Sequence, residues 1–189
     1  QQSLKLSRQI GSRWGEAWSV GRLGRALVAK GDPETGRPML AQALAIAHEI
    51  GDRLLEANAL TGISRSAPDL AQNRNYGEQA LAGFQAIGHR RFEGRSLNNL
   101  SLVYGVLGLY GKARDYAERA VAIARQSGGW VGLVTYLDTL ARALHAARRP
   151  AEARAIYAET LALSNPDHLS YPYAHAGLGR SAMAEGQWA

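Results

Sequence analysis

Arginine recurs at one helical register of this chain. Counting two residues past Leu23, Ile63, Leu140 and Leu178 gives Arg25, Arg65, Arg142 and Arg180, while the same count from Leu100 gives Leu102. A guanidinium presents its donors as a rigid fork that holds a carboxylate or phosphate through two bonds. A row of them would therefore capture an anionic group or an acidic peptide. Within about one helical turn of these positions lie Arg22, Asn98, Asn99, Asp138 and Thr139. An asparagine side chain offers donor and acceptor together, which matches a peptide backbone. Trp18 stands one turn before Arg22 and, like arginine, is a residue type that anchors interfaces. The competing roles are packing for Trp18 and a solvated, carboxylate-paired helix face for the arginines. Trp14, Trp130 and Trp188 fall near helix ends and read as packing.

Other chemistry finds less support. The histidines His48, His89, His145, His168 and His175 include no i,i+4 pair, and the chain has no cysteine to assist them, so no metal site is expected. His145 alone joins the contact candidates, and only as a weak one. The stretch from Gly105 to Lys112 resembles a phosphate loop superficially. Its first glycine would have to stand at Val106, Ala113 replaces the final Ser/Thr, and no strand precedes it. No paired carboxylates sit in an evident pocket and no nucleophile-elbow motif occurs, so the chain is expected not to be an enzyme and to carry no cofactor. Asn99-Leu100-Ser101 matches a glycosylation sequon by chance, in a helical segment.

The elements that would position these residues are helices. Hydrophobic residues make up 46% of the 189-residue chain, enough to build a core. Alanine is abundant and β-branched residues never run together, which favours close-packed helices over strands. Lys and Arg outnumber Asp and Glu by 22 to 16, a net charge of +6, a modest basic excess compatible with acidic partners or with compositional bias. No apolar run is long enough to span a bilayer and no basic-then-apolar signal segment opens the sequence. Together with the missing cysteines, this leads to the expectation of a cytoplasmic protein.

A long period organises the helices. Gly11, Gly51, Gly88 and Gly128 each follow a helical stretch, 40, 37 and 40 residues apart, and Asn165-Pro166-Asp167 marks a fifth boundary. Glycine is the expected left-handed cap at a helix end, and proline bars continuation. Small residues recur in phase: Gly24, Gly36 and Ala43; Ser101, Ala113 and Ala120; Ala141, Ala153 and Thr160. They allow two antiparallel helices to cross closely. Gly31, Gly108 and Gly186 occupy the turn between the helices of a pair, and Arg148 holds that place in the fourth copy. The expected organisation is a partial helix at 1–10, repeats at about 12–51, 52–88, 89–128 and 129–167, and a first helix at 168–189. Repeat two is irregular: Pro68 should end its first helix early, leaving Asp69 to Asn75 looser.

The stretch from Ser96 to Arg125, with Ser101, Ala113 and Ala120 at its small positions, resembles a tetratricopeptide repeat. The period is nearer 40 than the usual 34. Lengthened repeats of this kind are similar to those of kinesin light chains, cell-polarity adaptors and large bacterial multidomain regulators. The Arg/Ala/Gly-rich composition, and ends at Gln1 and Ala189, point to a piece of such a regulator. The resemblance implies an all-α, right-handed α-α superhelix forming a single solenoid over 1–189. Its first helices would line a concave face, with Asn98 and Asn99 placed to touch extended peptide. The function it implies is a protein–protein interaction scaffold that binds a peptide or partner domain through Arg25, Arg65, Asn98, Asn99, Arg142, Arg180, Arg22, Asp138 and Trp18. The alternative is a sensor of a small inducer within the superhelix. Nucleic acid fits poorly, because the register lacks stacking aromatics. Self-association is also expected, through apolar terminal helix faces that neighbouring repeats would otherwise cover.

Overall fold

The computed structural model describes residues 2–128, 130–164 and 170–184. Among them are ten helices and no strand: α1 (Gln2–Gln9), α2 (Arg13–Ala29), α3 (Pro33–Ile50), α4 (Arg53–Ser66), α5 (Leu70–Ala86), α6 (Arg90–Val106), α7 (Tyr110–Ser127), α8 (Trp130–Ala146), α9 (Pro150–Leu163) and α10 (Ser170–Ala184). They form two compact units, residues 1–89 with α1 to α5 and residues 90–189 with α6 to α10. Within each unit every helix packs on the next in sequence. Alternate helices also touch: α2 with α4 in the first unit, α6 with α8 and α8 with α10 in the second. Helix pairs stacked in this way are the α-α solenoid arrangement.

Helix ends follow the glycine register. Gly11, Gly51 and Gly88 take φ +68° and Gly128 takes φ +65°, a region that costs most side chains about 1–2 kcal/mol. After Gly51 the chain bonds back to the helix it leaves, Gly51 N–H to the His48 carbonyl at 3.2 Å and Asp52 N–H to the Ala47 carbonyl at 3.0 Å. The next helix starts at once, because the Asp52 carboxylate accepts from Leu55 N–H at 2.9 Å. Ser12, Asp32 and Asp69 cap α2, α3 and α5 in the same way. The boundary expected at Asn165 to Asp167, the turn at Gly186 and the side chains of Trp130 and Trp188 lie outside the described residues.

The short residues stand where the helices of a pair cross. A β-carbon on Gly24 would come 2.9 Å from the Gly36 carbonyl oxygen, and one on Gly36 would come 2.8 Å from that of Gly24. Here α2 and α3 touch backbone to backbone. In the third pair Ser101 replaces Gly24 and donates its hydroxyl to the Ala113 carbonyl at 2.7 Å. Ala141 and Ala153 do the same work in the fourth pair, both fully buried. Around these crossings sit the cores: Leu40 in the first unit, beneath Gly24 and Gly62, and Leu137, Leu140, Leu144 and Tyr157 in the second.

The irregular second pair resolves as a proline stop. Ala67 is extended, φ −60° and ψ 140°, as the residue before Pro68 must be, and α4 ends at Ser66. Arg37 takes the Ser66 carbonyl through Nε at 2.6 Å, and the Ser64 hydroxyl reaches the Asn73 carbonyl at 2.8 Å. The expected looseness from Asp69 to Asn75 is corrected: Asp69 caps Gln72 N–H at 2.8 Å, and helix α5 runs from Leu70. A carboxylate at the cap outweighs the glycine- and asparagine-rich sequence that follows. Trp14 packs near the start of α2, as expected, but at the surface. It is half exposed, stacks on Trp18 with ring centroids 5.7 Å apart, and donates Nε1–H to Asp52 at 3.0 Å.

Two substitutions test this frame. Gly24→Ala gains helix propensity but forces a methyl against backbone, and is expected to lower unfolding stability by about 1–3 kcal/mol in denaturant titration. Arg148 takes φ +58° in the turn where its counterparts are glycines. Arg148→Gly is expected to raise stability by about 0.5–1 kcal/mol in the same assay, since relief of the left-handed conformation outweighs the entropy glycine adds to the unfolded chain.

Candidate binding groove

In the second unit, Thr139, Arg142 and His145 follow one another at three-residue steps along α8 and so share a face. They line a cavity of about 360 Å³ together with Ser101, Leu102, Gly105 and Val106 of α6, Ala143 and Ala146 of α8, and Arg180 of α10. Tyr157 of α9 and Ala113 of α7 form its back wall. The first helices of three successive pairs thus contribute the walls, and the second helices close the floor.

The polar groups of this cavity are not equally free. Ser101 is committed to the Ala113 carbonyl, and the Thr139 hydroxyl donates to the Thr135 carbonyl at 3.1 Å. The Tyr157 phenol is held by the Arg180 guanidinium. Burial pushes the phenol's pKa up, Arg180 opposes that shift, and the carboxylate of Asp138 adds to it. Tyr157 owes its room to Gly177 of α10, where any β-carbon would enter the space of the ring. About one helical turn further on, the same helix carries Arg180, which interacts with the phenol.

The sequence-derived candidates separate into groups. Arg142 and Arg180 are exposed and come together at this cavity. Arg13, Arg37, Arg90, Arg114, Arg125 and Arg149 each pair with a carboxylate. Among the described residues no ion pair involves Arg65, Arg142 or Arg180, so these three do not fit a carboxylate-paired face. Asp138 and Asn98 are buried, at 7% and 6% exposure, and support the walls instead of lining them. Asn99 is half-buried and also off the lining.

In the first unit Arg25 is half-buried. Its stem lies beside Gly62 and its guanidinium is 3.5 Å from the Asn58 carbonyl, so it ties α2 to α4. Arg65 is exposed in the last turn of α4. Trp18 and Arg22 line a separate crevice of about 380 Å³ with Ser3, Leu4, Ser19, Leu23 and Ala26, between α1 and α2. Trp18 also packs against the Ala17, Ile46, Ala47 and Leu55 cluster, so it serves packing and lining at once.

Tyr157, Gly105 and Val106 escaped the sequence reading. Tyr157 lies on a second helix, which the register count leaves aside. Gly177, aligned beneath the aromatic ring, was the available signal. The turn from Gly108, at φ +72°, leads into α7, and Lys112 lies 5.3 Å from the Tyr104 ring centre, so the apparent phosphate loop is a helix–turn–helix corner. Among the described residues no helix is long and apolar enough to cross a membrane.

The Tyr157 environment sets an alkaline limit. The folded protein holds this proton above the ordinary tyrosine value of 10.0. The corresponding stability is complete below that value and is lost as pH rises through the folded pKa. Denaturant titrations at about pH 9 and about pH 11 should therefore show a smaller alkaline loss in Tyr157→Phe than in the native chain.

Comparison with known proteins places these observations. Residues 92–165 match the tetratricopeptide repeat family. BtubC (BKLC) from P. vanneervenii superposes with TM-score 0.81 at 16% identity, over 98% of this chain and 81% of that one. A putative kinesin light chain with nearly identical TPR-like repeats, from Podosopora anserina, superposes in a singly substituted form with TM-score 0.75 at 20% identity, over 89% of this chain and 86% of that one. NprR, in complex with its cognate peptide NprX, gives TM-score 0.67 at 16% identity, over 98% of this chain and 55% of that one. A search of curated proteins finds no match. By sequence residues 92–165 match tetratricopeptide repeats, and the chain shares its fold with solved structures that include one of TPR-like repeats.

Proposed function

We propose that the second unit binds a peptide, or an extended segment of a partner domain, in the groove walled by α6, α8 and α10. The chain is then an interaction scaffold and not an enzyme. The observation that carries this reading is the pairing of Arg142 with Arg180 at one cavity, above an apolar lining of Leu102, Val106, Ala143 and Ala146. Two guanidiniums beside an apolar wall suit an acidic or carbonyl-rich segment with small apolar side chains. A preformed wall lowers the ordering cost of binding to the ligand's own share. The peptide bound to the similarly folded NprR supports the same use of the fold.

The parent in this reading is a bacterial multidomain signalling or transcription regulator acting in the cytoplasm, with these repeats as its regulatory region. In the first unit, Arg22 and Trp18 offer a second contact point, and Arg65 remains open. Arg25 ties α2 to α4 in the first unit, while Asn98, Asn99 and Asp138 of the second stand off the groove lining. A small-inducer sensor is the second reading, favoured by the cavity's volume, which falls at the low end of small-ligand pockets. Self-association would use the exposed Leu6, Ile10 and Trp14 at one end and Met183 at the other.

Affinity capture from lysate with the native chain, Arg142→Glu/Arg180→Glu and Arg65→Glu distinguishes these uses, once circular dichroism shows all three equally helical. The double variant is expected to lose its partner by about tenfold or more, and Arg65→Glu to retain it. Equal capture by all three would place the partner elsewhere. Sedimentation at high concentration should show association that weakens in Leu6→Glu/Ile10→Glu, and a strictly monomeric native chain would rule the end contact out.

A further inference from the structure

We propose that the peptide held in the groove runs on past Ala146 and over the α6–α7 turn, where it sets an apolar side chain on Leu109 and Tyr110 and an acidic group beside Lys112 and Arg148. The inference rests on the groove reading above and extends it to the chemistry of the ligand's next residues. Among the described residues of the second unit, five large hydrophobic side chains are exposed. Four of them, Leu102, Val106, Leu109 and Tyr110, fall within residues 102–110. Leu102 and Val106 belong to the groove wall. Leu109 and Tyr110 line an adjoining crevice of about 660 Å³, and Ala146 borders both spaces. Apolar surface grouped in this way inside a polar rim is the make-up of an interaction site.

Leu109 serves its own helix poorly. It holds the N-cap of α7 and makes no capping bond, whereas Asp32 and Asp69 at the same place cap α3 and α5. Leucine is among the weakest residues at that position. The rim supplies charge. Arg114 and Arg149 are paired with Asp115 and Glu152. Lys112 and Arg148 line the same crevice, are exposed, and make no ion pair among the described residues; Lys112 lies over the Tyr104 ring. The complementary group on a partner is a carboxylate. From Arg142 to Ala146 is about 6 Å along the helix, which an extended chain covers in about two residues. The matching segment is therefore an acid for Arg142 and Arg180, two small residues, an apolar anchor and a second acid.

Two peptides of equal length test this path. Acetyl-Glu-Ala-Ala-Leu-Glu-amide carries the whole pattern, and acetyl-Glu-Ala-Ala-Ser-Gln-amide lacks the anchor and the second acid. Each is also made in reversed order, so that both chain directions are covered, and all are titrated by calorimetry. In one order the complete peptide is expected to bind the native chain about tenfold tighter than its control. Leu109→Ser/Tyr110→Ser should remove that gain and leave the control's affinity unchanged. Arg148→Gly, which deletes the charge and relieves the left-handed turn, should reduce the gain by about two- to threefold. Equal affinities in the native chain, or a gain that survives in a helical Leu109→Ser/Tyr110→Ser, would overturn the extension and leave the arginine groove standing. Self-association of the native chain that vanishes in that variant, with peptide binding unchanged, would assign the patch to a second copy instead. If no peptide binds, or if Arg142→Glu/Arg180→Glu binds the control as well as the native chain does, the groove falls and this inference with it.

Discussion

The structure depends on backbone-to-backbone contact between the two helices of a pair. Where Gly24 faces Gly36 no side chain separates α2 from α3, and the carbonyl oxygen of each sits where a side chain on the other would begin. Close crossing fixes the angle at which the pair leaves its turn. That angle decides which faces of the first helices meet their counterparts in the next pair. In the third pair the same approach is held by a hydrogen bond from Ser101 to the Ala113 carbonyl. In the fourth, two alanines suffice, both excluded from solvent. Three chemical solutions satisfy one geometric demand, so the spacing of small residues persists where their identity does not.

The groove follows from that demand. Because the second helices pack tightly behind the first, α6, α8 and α10 are left side by side with only their own side chains between them. Short residues at Gly105, Ala143 and Ala146 leave space there, and long residues at Arg142 and Arg180 reach across it. Tyr157 then acts from behind. Its ring fills the room that Gly177 leaves, and its phenol engages Arg180 at the back of the cavity. A residue on a second helix thereby interacts with a side chain on a first helix.

Much of the frame was legible in the residues alone because its signals are local. A glycine with no Cβ marks a left-handed cap, and Pro68 ends α4 through its clash with Ala67. The one local misjudgement, the looseness of Asp69 to Asn75, arose where a single capping carboxylate at Asp69 outweighed weak helix formers after it. The candidate site was legible only in part. Arg142 and Arg180 follow from a register count; of the residues within a turn of that register, Thr139, Asn98 and Asp138 are all buried, and only Thr139 reaches the lining.

By itself the sequence determined the helix pairs, their turns, the small-residue crossings and the recurrence of arginine, since each depends on neighbours within a few turns of chain. Only the tertiary structure decided what each arginine does. Arg25 lies against Gly62 and faces the Asn58 carbonyl, a contact across 33 residues. Arg180 meets Tyr157 instead, a partner on a different helix. Equivalent positions in a repeat share a direction, but the group they meet belongs to another helix, and that helix's residues are not bound by the same spacing.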